Sequence, residues 1–260
     1  MKTRVISGIV MVPLLLIIYF GSYPLLIAAA AIAYVGVTEF YNGFEAIDVH
    51  PSKPIAYVMI TLLYAGHLIL GYNPTFLMAW VILSVMVSMI YAWRVTERKP
   101  YDAVATLTAL VYITLFSYHM VVIDNTSYPR MTWLVVIAAF GSDICAYFAG
   151  YFLGKHKMAP NLSPKKTIEG GIGGVLGSAV LCGIFGYFFY PSMMVHCMVI
   201  GVLGGMVAEA GDLTASMFKR GMGIKDYGKL IPGHGGIMDR FDSVIFVAPV
   251  VCYYILFALQ

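Results

Sequence analysis

The densest group of residues that could do chemistry lies near the end of the chain, between Ser216 and Asp242. This stretch combines lysines, arginines, a histidine and several aspartates with the glycine-rich turn Pro232–Gly236. Magnesium takes one or two carboxylates from a protein and completes its coordination with phosphate oxygens and water. We therefore predict that the stretch binds a divalent cation through oxygen ligands, next to phosphate groups.

A second basic segment, residues 154–170, contains two adjacent lysines, Lys165 and Lys166. Hydroxyl side chains, Ser163 and Thr167, stand on either side of them, and glycines follow. Lysines supply point charges for phosphate, and glycines let backbone N–H groups approach phosphate oxygens at the start of a helix. The pattern is not a P-loop, because G-x-x-x-x-G-K-[ST] occurs nowhere in the sequence. It indicates polyphosphate binding, and an ordinary basic loop with glycines for helix packing is the alternative.

Three acidic residues, Asp143, Glu209 and Asp212, lie in or near long apolar runs. A carboxylate in the middle of a bilayer costs at least about 2.5–3.5 kcal/mol, so it normally faces a polar cavity, a metal or a cation. Glu209 and Asp212 are three residues apart and share a helix face. For Asp212 and Glu209 the alternative is a pair with a nearby lysine, and Asp143 could equally be a hydrogen-bond partner inside a bundle.

The elements that position these residues follow from the composition. Of 260 residues, 60% are hydrophobic and 11% charged, and the mean hydropathy is +0.84. Soluble domains carry about 25% charged residues, so soluble, disordered and fibrous proteins are excluded. The four cysteines all lie in apolar runs without metal-type spacing, which favours reduced packing residues over disulfides or zinc. We predict an all-α, polytopic integral membrane protein.

About nine runs are long enough to be transmembrane helices, which need about 20 apolar residues each. The first is interpreted as a retained helix rather than a signal peptide, because no small-residue cleavage site follows it. The runs are continuous, which favours helices over the alternating strands of a barrel. They are residues 5–20, 23–41, 54–71, 74–93, 103–123, 131–153, 171–190, 193–217 and 238–258.

The basic residues predict the orientation of the chain. With nine spans, fifteen of the sixteen lysines and arginines fall on one side, and only Arg130 falls on the other. Cytoplasmic loops are enriched in lysine and arginine. The N-terminus and the loops 154–170 and 218–237 are therefore predicted to be cytoplasmic. We expect residues 1–130 to supply about five spans and residues 131–260 to form the catalytic half.

The stretch Ser216–Asp242 resembles the signature of the phosphatidate cytidylyltransferase (CDP-diacylglycerol synthase) family. The elements S-x-x-K-R, K-D and P-G-H-G-G-x-x-D-R-x-D stand in order, without a departure. The run S-P-K-K-T-x-E-G at 163–170 also resembles a second motif of that family. The motif-bearing resemblance covers roughly residues 140–242, and the N-terminal half carries no motif that can be matched.

The resemblance implies an enzyme that converts CTP and phosphatidate into CDP-diacylglycerol and pyrophosphate at the bacterial inner membrane. It implies Mg²⁺ as the cofactor, held by Asp212 and Asp239, with Asp143 and Asp242 as further candidates. Lys165, Lys166 and Arg220 are assigned to the phosphates of the substrates. The candidates for substrate binding are Ser163, Thr167, Lys219, Lys225, Asp226, Gly233, His234, Gly235, Gly236 and Arg240. A second cation and a homodimer are left open, and no nucleic-acid partner is expected.

Two other functions compete with this interpretation. A CTP-dependent lipid-alcohol kinase would use a similar basic, metal-bearing loop but would attack the γ-phosphorus. An ion-coupled transporter would explain the intramembrane acids, although inverted repeats and a midplane cluster of broken helices are not evident. A CDP-alcohol phosphotransferase is disfavoured, because the sequence lacks the D-G-x-x-A-R start of the acidic motif of that family.

Overall fold

The structure, a computed structural model, describes residues 15–230 and 235–259. The chain is an all-α integral membrane protein, as the composition predicts. Among the described residues, eight helical segments are long and apolar enough to cross a membrane. Most of the first predicted span, 5–20, lies outside the described residues, so the count of nine stays a prediction. The eight segments are Ser22–Glu45, Lys53–Leu70, Pro74–Tyr91, Pro100–Asp124, Pro129–Leu153, Ile168–Phe189, Pro191–Gly221 and Met238–Ala258.

We number the helices in chain order. The span Pro100–Asp124 is interrupted by a π-helical turn at Leu110–Leu115, which divides it into α4 and α5. Short 3₁₀ turns at Pro129–Met131 and Pro191–Met193 precede α6 and α8. The helices are α1 Ser22–Glu45, α2 Lys53–Leu70, α3 Pro74–Tyr91, α4 Pro100–Ala109, α5 Phe116–Asp124, α6 Thr132–Leu153, α7 Ile168–Phe189, α8 Met194–Gly221 and α9 Met238–Ala258.

Side-chain caps fix where several helices begin. The Ser52 hydroxyl accepts a hydrogen bond from the Ile55 backbone N–H at 3.4 Å. The side-chain amide oxygen of Asn73 accepts one from the Phe76 backbone N–H at 3.0 Å. Such caps satisfy N–H groups that have no partner within the helix. Proline follows each cap directly or one residue later, where the missing N–H costs nothing. The starts of α2 and α3 therefore follow from local sequence.

The described helices form two compact units. The first holds the chain as far as Val122 together with the segment Gly221–Arg240, and the second holds Ile123–Arg220 and the chain from Phe241 onward. We call Ser216–Asp242 the signature segment. Most of it belongs to the first unit, and the basic segment 154–170 belongs to the second. The functional division into residues 1–130 and 131–260 stays a prediction.

Helices α6 and α7 of the second unit pack closely because glycines line their contact. A side chain at Gly173 would overlap Ala149, and one at Gly177 would overlap Cys145. Gly170 is similarly enclosed, with the Ala146 carbonyl oxygen 3.0 Å from where its Cβ would lie. Small residues let transmembrane helices approach closely, which is the principal source of their association in lipid. The pair forms a firm base for the segment that connects the two helices.

That connecting segment contains an antiparallel β-hairpin, made of β1 Lys157–Ala159 and β2 Ser163–Thr167. The sequence analysis predicts only a loop here. The Glu169 carboxylate closes the base of the hairpin, because it accepts hydrogen bonds from the backbone N–H groups of Lys155 and His156 at 3.0 and 3.2 Å. The hairpin is therefore held at the start of α7.

Candidate functional site

The strongest polar cluster in the second unit joins the hairpin to helix α8. The Lys166 ammonium lies 2.5 Å from a carboxylate oxygen of Glu209 and 2.7 Å from one of Asp212. The Lys166 side chain is only 18% exposed, so the three groups interact largely out of water. We call Lys166, Glu209 and Asp212 the lysine–carboxylate cluster. It shows that one lysine of the predicted polyphosphate segment is already neutralised within the protein.

The charge of Lys166 is stable over the physiological range. Burial alone would lower the pKa of the ammonium, but Asp212 and Glu209 outweigh it and hold that pKa above its usual value of 10.5. A group whose pKa is raised on folding adds stability that is complete below its unfolded pKa. That stability is lost as the pH rises through the folded-state pKa. The Lys166 ammonium therefore stays charged at any pH below about 10.5.

The second unit also gathers further carboxylates around Asp212. Asp242 is buried, and it interacts electrostatically with both Asp212 and Asp143. The second carboxylate oxygen of Glu209 is buried and has no hydrogen-bond partner among the described residues. Like charges in a partly desolvated site repel unless a cation or a proton neutralises them. The oxygen donors of this region therefore suit a hard divalent cation such as Mg²⁺.

The described part of the chain contains no group of three or more His, Cys, Asp or Glu side chains arranged to hold a metal ion by themselves. Magnesium usually takes only one or two carboxylates from a protein. The metal assignments of Asp212, Asp239, Asp143 and Asp242 stay predictions.

The other predicted residues of the second unit are placed differently from one another. Lys165 is exposed, and within the described residues it makes no hydrogen bond or ion pair. The Thr167 hydroxyl caps α7 by accepting a hydrogen bond from the Gly170 N–H at 3.1 Å. The Arg220 guanidinium donates to the Leu162 carbonyl in the hairpin at 3.4 Å, and Lys219 interacts electrostatically with Asp242. Ser163 begins β2 and is half-buried.

In the first unit, Asp239 organises the signature segment. One of its carboxylate oxygens accepts hydrogen bonds from the backbone N–H groups of Tyr227 at 2.8 Å and Gly236 at 3.0 Å. Gly235 adopts a φ of +84°, a conformation that favours glycine, and its backbone passes close to the Asp239 carboxylate. Lys225 and Asp226, which directly precede Tyr227, are exposed. Arg240 is half-buried next to Asp239. Gly233 and His234 lie outside the described residues.

Comparison with known proteins shows to which family this chain belongs. The model of the cytidylyltransferase family matches residues 2–258. The chain belongs to the cytidylyltransferase family. Three of the similar proteins are named phosphatidate cytidylyltransferase. One from Synechocystis sp. is 46% identical over 48% of this chain and 44% of its own length. One from Bacillus subtilis is 35% identical over 68% of this chain and 66% of its own length. One from Haemophilus influenzae is 41% identical over 48% of this chain and 45% of its own length.

This cytidylyltransferase-family chain spans less than two thirds of the length of each of those relatives. The family resemblance predicted from the signature is confirmed by the match across residues 2–258.

Two acidic residues that the sequence analysis does not include among its site residues hold important positions. Glu209 belongs to the lysine–carboxylate cluster, and its signal was the shared helix face with Asp212. Glu39, in α1, accepts hydrogen bonds from the backbone N–H groups of Ile237 and Met238 at 3.1 and 2.9 Å. Its signal was a single acid near the end of an otherwise apolar run.

Proposed function

We propose that this family member is a phosphatidate cytidylyltransferase, which converts CTP and phosphatidate into CDP-diacylglycerol and pyrophosphate. The match of the cytidylyltransferase family model to residues 2–258 carries the proposal, and relatives named for this activity support it. The nucleotide and the lipid are the two substrates. The membrane supplies the lipid, and a nucleic-acid partner is not part of the proposal.

The proposed reaction joins two polyanions. A phosphate oxygen of phosphatidate forms a bond to the α-phosphorus of CTP. The bond between that phosphorus and the oxygen that bridges the α- and β-phosphates breaks, and pyrophosphate leaves with the electron pair. Phosphatidate is already ionised near pH 7, so no general base is required for the attack. The main tasks of the protein are positioning and charge neutralisation.

The residues of this chain divide those tasks. Lys165 is exposed and unneutralised within the described residues, so it is available to a triphosphate. Lys166 instead holds Glu209 and Asp212 in place through its ion pairs. We propose Asp212 and Asp239, each within its own unit, as candidate Mg²⁺ ligands. When bound, the ion neutralises phosphate charge and makes the α-phosphorus a better electrophile.

An assay with labelled substrates tests this function. Purified protein is supplied with Mg²⁺, phosphatidate and CTP that carries ³²P in the α-position. We expect a labelled lipid that comigrates with CDP-diacylglycerol, together with one pyrophosphate per lipid. If label stays in CDP while a lipid alcohol is phosphorylated from γ-labelled CTP, the protein is a kinase and the proposal is wrong.

Lys165 provides a prediction about substrate binding. Lys165→Gln is expected to raise the KM for CTP about 10-fold, the scale of one charge-assisted interaction. The dependence of the rate on Mg²⁺ should stay unchanged, because Lys165 contacts no carboxylate among the described residues. The control is Lys157→Gln, which removes the same charge from exposed β1 of the same hairpin. Equal effects of the two substitutions would indicate a general charge effect and contradict the assignment.

We also propose that the hairpin and the signature segment face the cytoplasm, on the basis of the distribution of basic residues. Single cysteines at the exposed positions Asn161 and Lys229, in a background without the four native cysteines, test this orientation. Both should be protected from a membrane-impermeant thiol reagent in intact cells and should react after the cells are opened. Reaction of either position from outside the cell would disprove the orientation.

A further inference from the structure

The C-terminal end of α1, which we propose to face the cytoplasm, forms a platform for the signature segment within the first unit. The Phe40 ring packs against the Tyr227 ring, with 5.9 Å between their centroids. Gly43 faces the Met222 sulfur, which lies 2.6 Å from where a Cβ on Gly43 would be. Glu39 lies on the same stretch of α1. Residues from the N-terminal helices therefore contact a segment that follows them by more than 170 positions in the chain.

Glu39 is the polar anchor of this platform. Its two carboxylate oxygens accept separate hydrogen bonds, one from Ile237 and one from Met238, at the point where α9 begins. The residue is only 7% exposed, so these bonds form out of water. Carboxylates are favourable at a helix N-terminus, because they satisfy N–H groups and complement the helix dipole. The bonds fix the position from which Asp239 extends.

Glycines leave the space that Glu39 occupies. A Cβ on Gly228 or on Gly236 would overlap the Glu39 carboxylate. The backbone of the signature segment therefore passes directly against this side chain on two sides. The two glycines allow the close approach, and neither has a positive φ that would by itself require glycine.

A second anion stands next to the first. The Asp239 carboxylate interacts electrostatically with Glu39, and like charges repel at short range. The two carboxylates stay together because each has its own pair of backbone N–H donors, Ile237 and Met238 for Glu39, and Tyr227 and Gly236 for Asp239. Four N–H groups of one short segment are thus directed at two side chains.

We propose that Glu39 is a positioning residue for the reaction: it holds the signature turn and thereby sets the position of Asp239. The role of Asp239 in metal binding rests on the proposed function, whereas the anchoring of the turn does not. Glu39 itself is buried behind the segment and touches backbone, so it acts through Asp239 and not on the substrates.

Glu39→Gln tests the proposal with little change in shape. One carboxylate oxygen becomes an NH₂ group, which faces a backbone N–H donor and cannot accept its hydrogen bond. We expect kcat to fall about 10-fold, the scale of losing one hydrogen bond to a charged group. The Mg²⁺ concentration for half-maximal rate should rise, while the KM for CTP stays within about twofold of wild type. The control is Glu45→Gln, at the exposed end of the same helix, which should change none of these values.

Limited trypsin digestion of the purified full chain supplies a readout that does not depend on activity. Lys225 and Lys229 are exposed on the signature segment, and cleavage after either requires the segment to leave its native position. Glu39→Gln should be cut there faster than wild type, and Glu45→Gln should be cut at the wild-type rate. Gly228→Ala tests the same contact from the signature segment, because the added Cβ would overlap the Glu39 carboxylate. It should reproduce the effects of Glu39→Gln, and it keeps the proposal testable if Glu39→Gln folds poorly.

Wild-type cleavage and wild-type turnover in Glu39→Gln would overturn the proposal. Faster cleavage with unchanged kcat and Mg²⁺ dependence would also overturn it, because the anchor would then be structural only. If the wild-type protein makes no CDP-diacylglycerol, the proposed function fails. The digestion of the variants still decides in that case whether Glu39 anchors the turn.

Discussion

Asp212→Asn and Asp239→Asn are each expected to lower kcat about 100-fold, the scale at which losing one preorganised electrostatic group is felt. Asparagine has nearly the size of aspartate but lacks its charge, so the substitution tests cation binding with little change in packing. Rates are measured at sub-saturating Mg²⁺, with membrane insertion and yield as checks on folding. The double variant should be little slower than the single ones, because both residues are proposed to serve the same Mg²⁺-dependent step.

One control variant and two contrary outcomes keep that result interpretable. Glu97→Gln removes a charge from an exposed position outside the predicted site and should leave the rate within about threefold of wild type. If either Asp212→Asn or Asp239→Asn turns over at the wild-type rate, that residue does not hold the ion. Losses that multiply in the double variant would place the two residues at separate functions.

Lys166→Met is expected to destabilise the protein by about 3–5 kcal/mol, the cost of leaving buried charges without their partner. Methionine keeps most of the length and the apolar stem of lysine but leaves the Glu209 and Asp212 carboxylates unneutralised. The unfolding midpoint in detergent should fall, because both carboxylates lose the cation that neutralises them.

A second substitution distinguishes this mechanism from general damage to the hairpin. Glu209→Gln removes one of the two unpaired charges, so Lys166→Met with Glu209→Gln should be more stable than Lys166→Met alone. Lys165→Met, one residue earlier on the same strand, should change the midpoint little because Lys165 has no carboxylate partner among the described residues. Additive losses in the double variant would show that the cluster is not a coupled unit.

The described spans were predictable, because they depend on local patterns. Continuous apolar runs specify transmembrane helices, and caps such as Asn73 follow the helix-start rule directly. The family signature is a pattern of neighbours in the sequence. The predicted spans differ from the observed helices by a few residues at most of their ends, where hydropathy does not record hydrogen bonding.

The different roles of Lys165 and Lys166 could not be predicted from their neighbourhood. Adjacent residues on a strand point to opposite faces. The sequence pattern predicts a loop here, in which the two lysines share one role. In β2, Lys165 is exposed and Lys166 meets two carboxylates that are supplied by α8, more than forty positions later. Glu39 was missed for a related reason, because its partners are the N–H groups of residues 198 and 199 positions away.

The discontinuity of the first unit has a consequence for biosynthesis. Its helices up to Val122 leave the ribosome early, but its last part, Gly221–Arg240, is made only when about nine tenths of the chain exist. Until then Glu39 lacks the backbone donors that it binds in the finished protein. Domains generally fold as units during synthesis, so this unit must wait as an incomplete intermediate. A fragment that ends at residue 130 should accordingly need the rest of the chain, expressed from a separate message, to complete this unit.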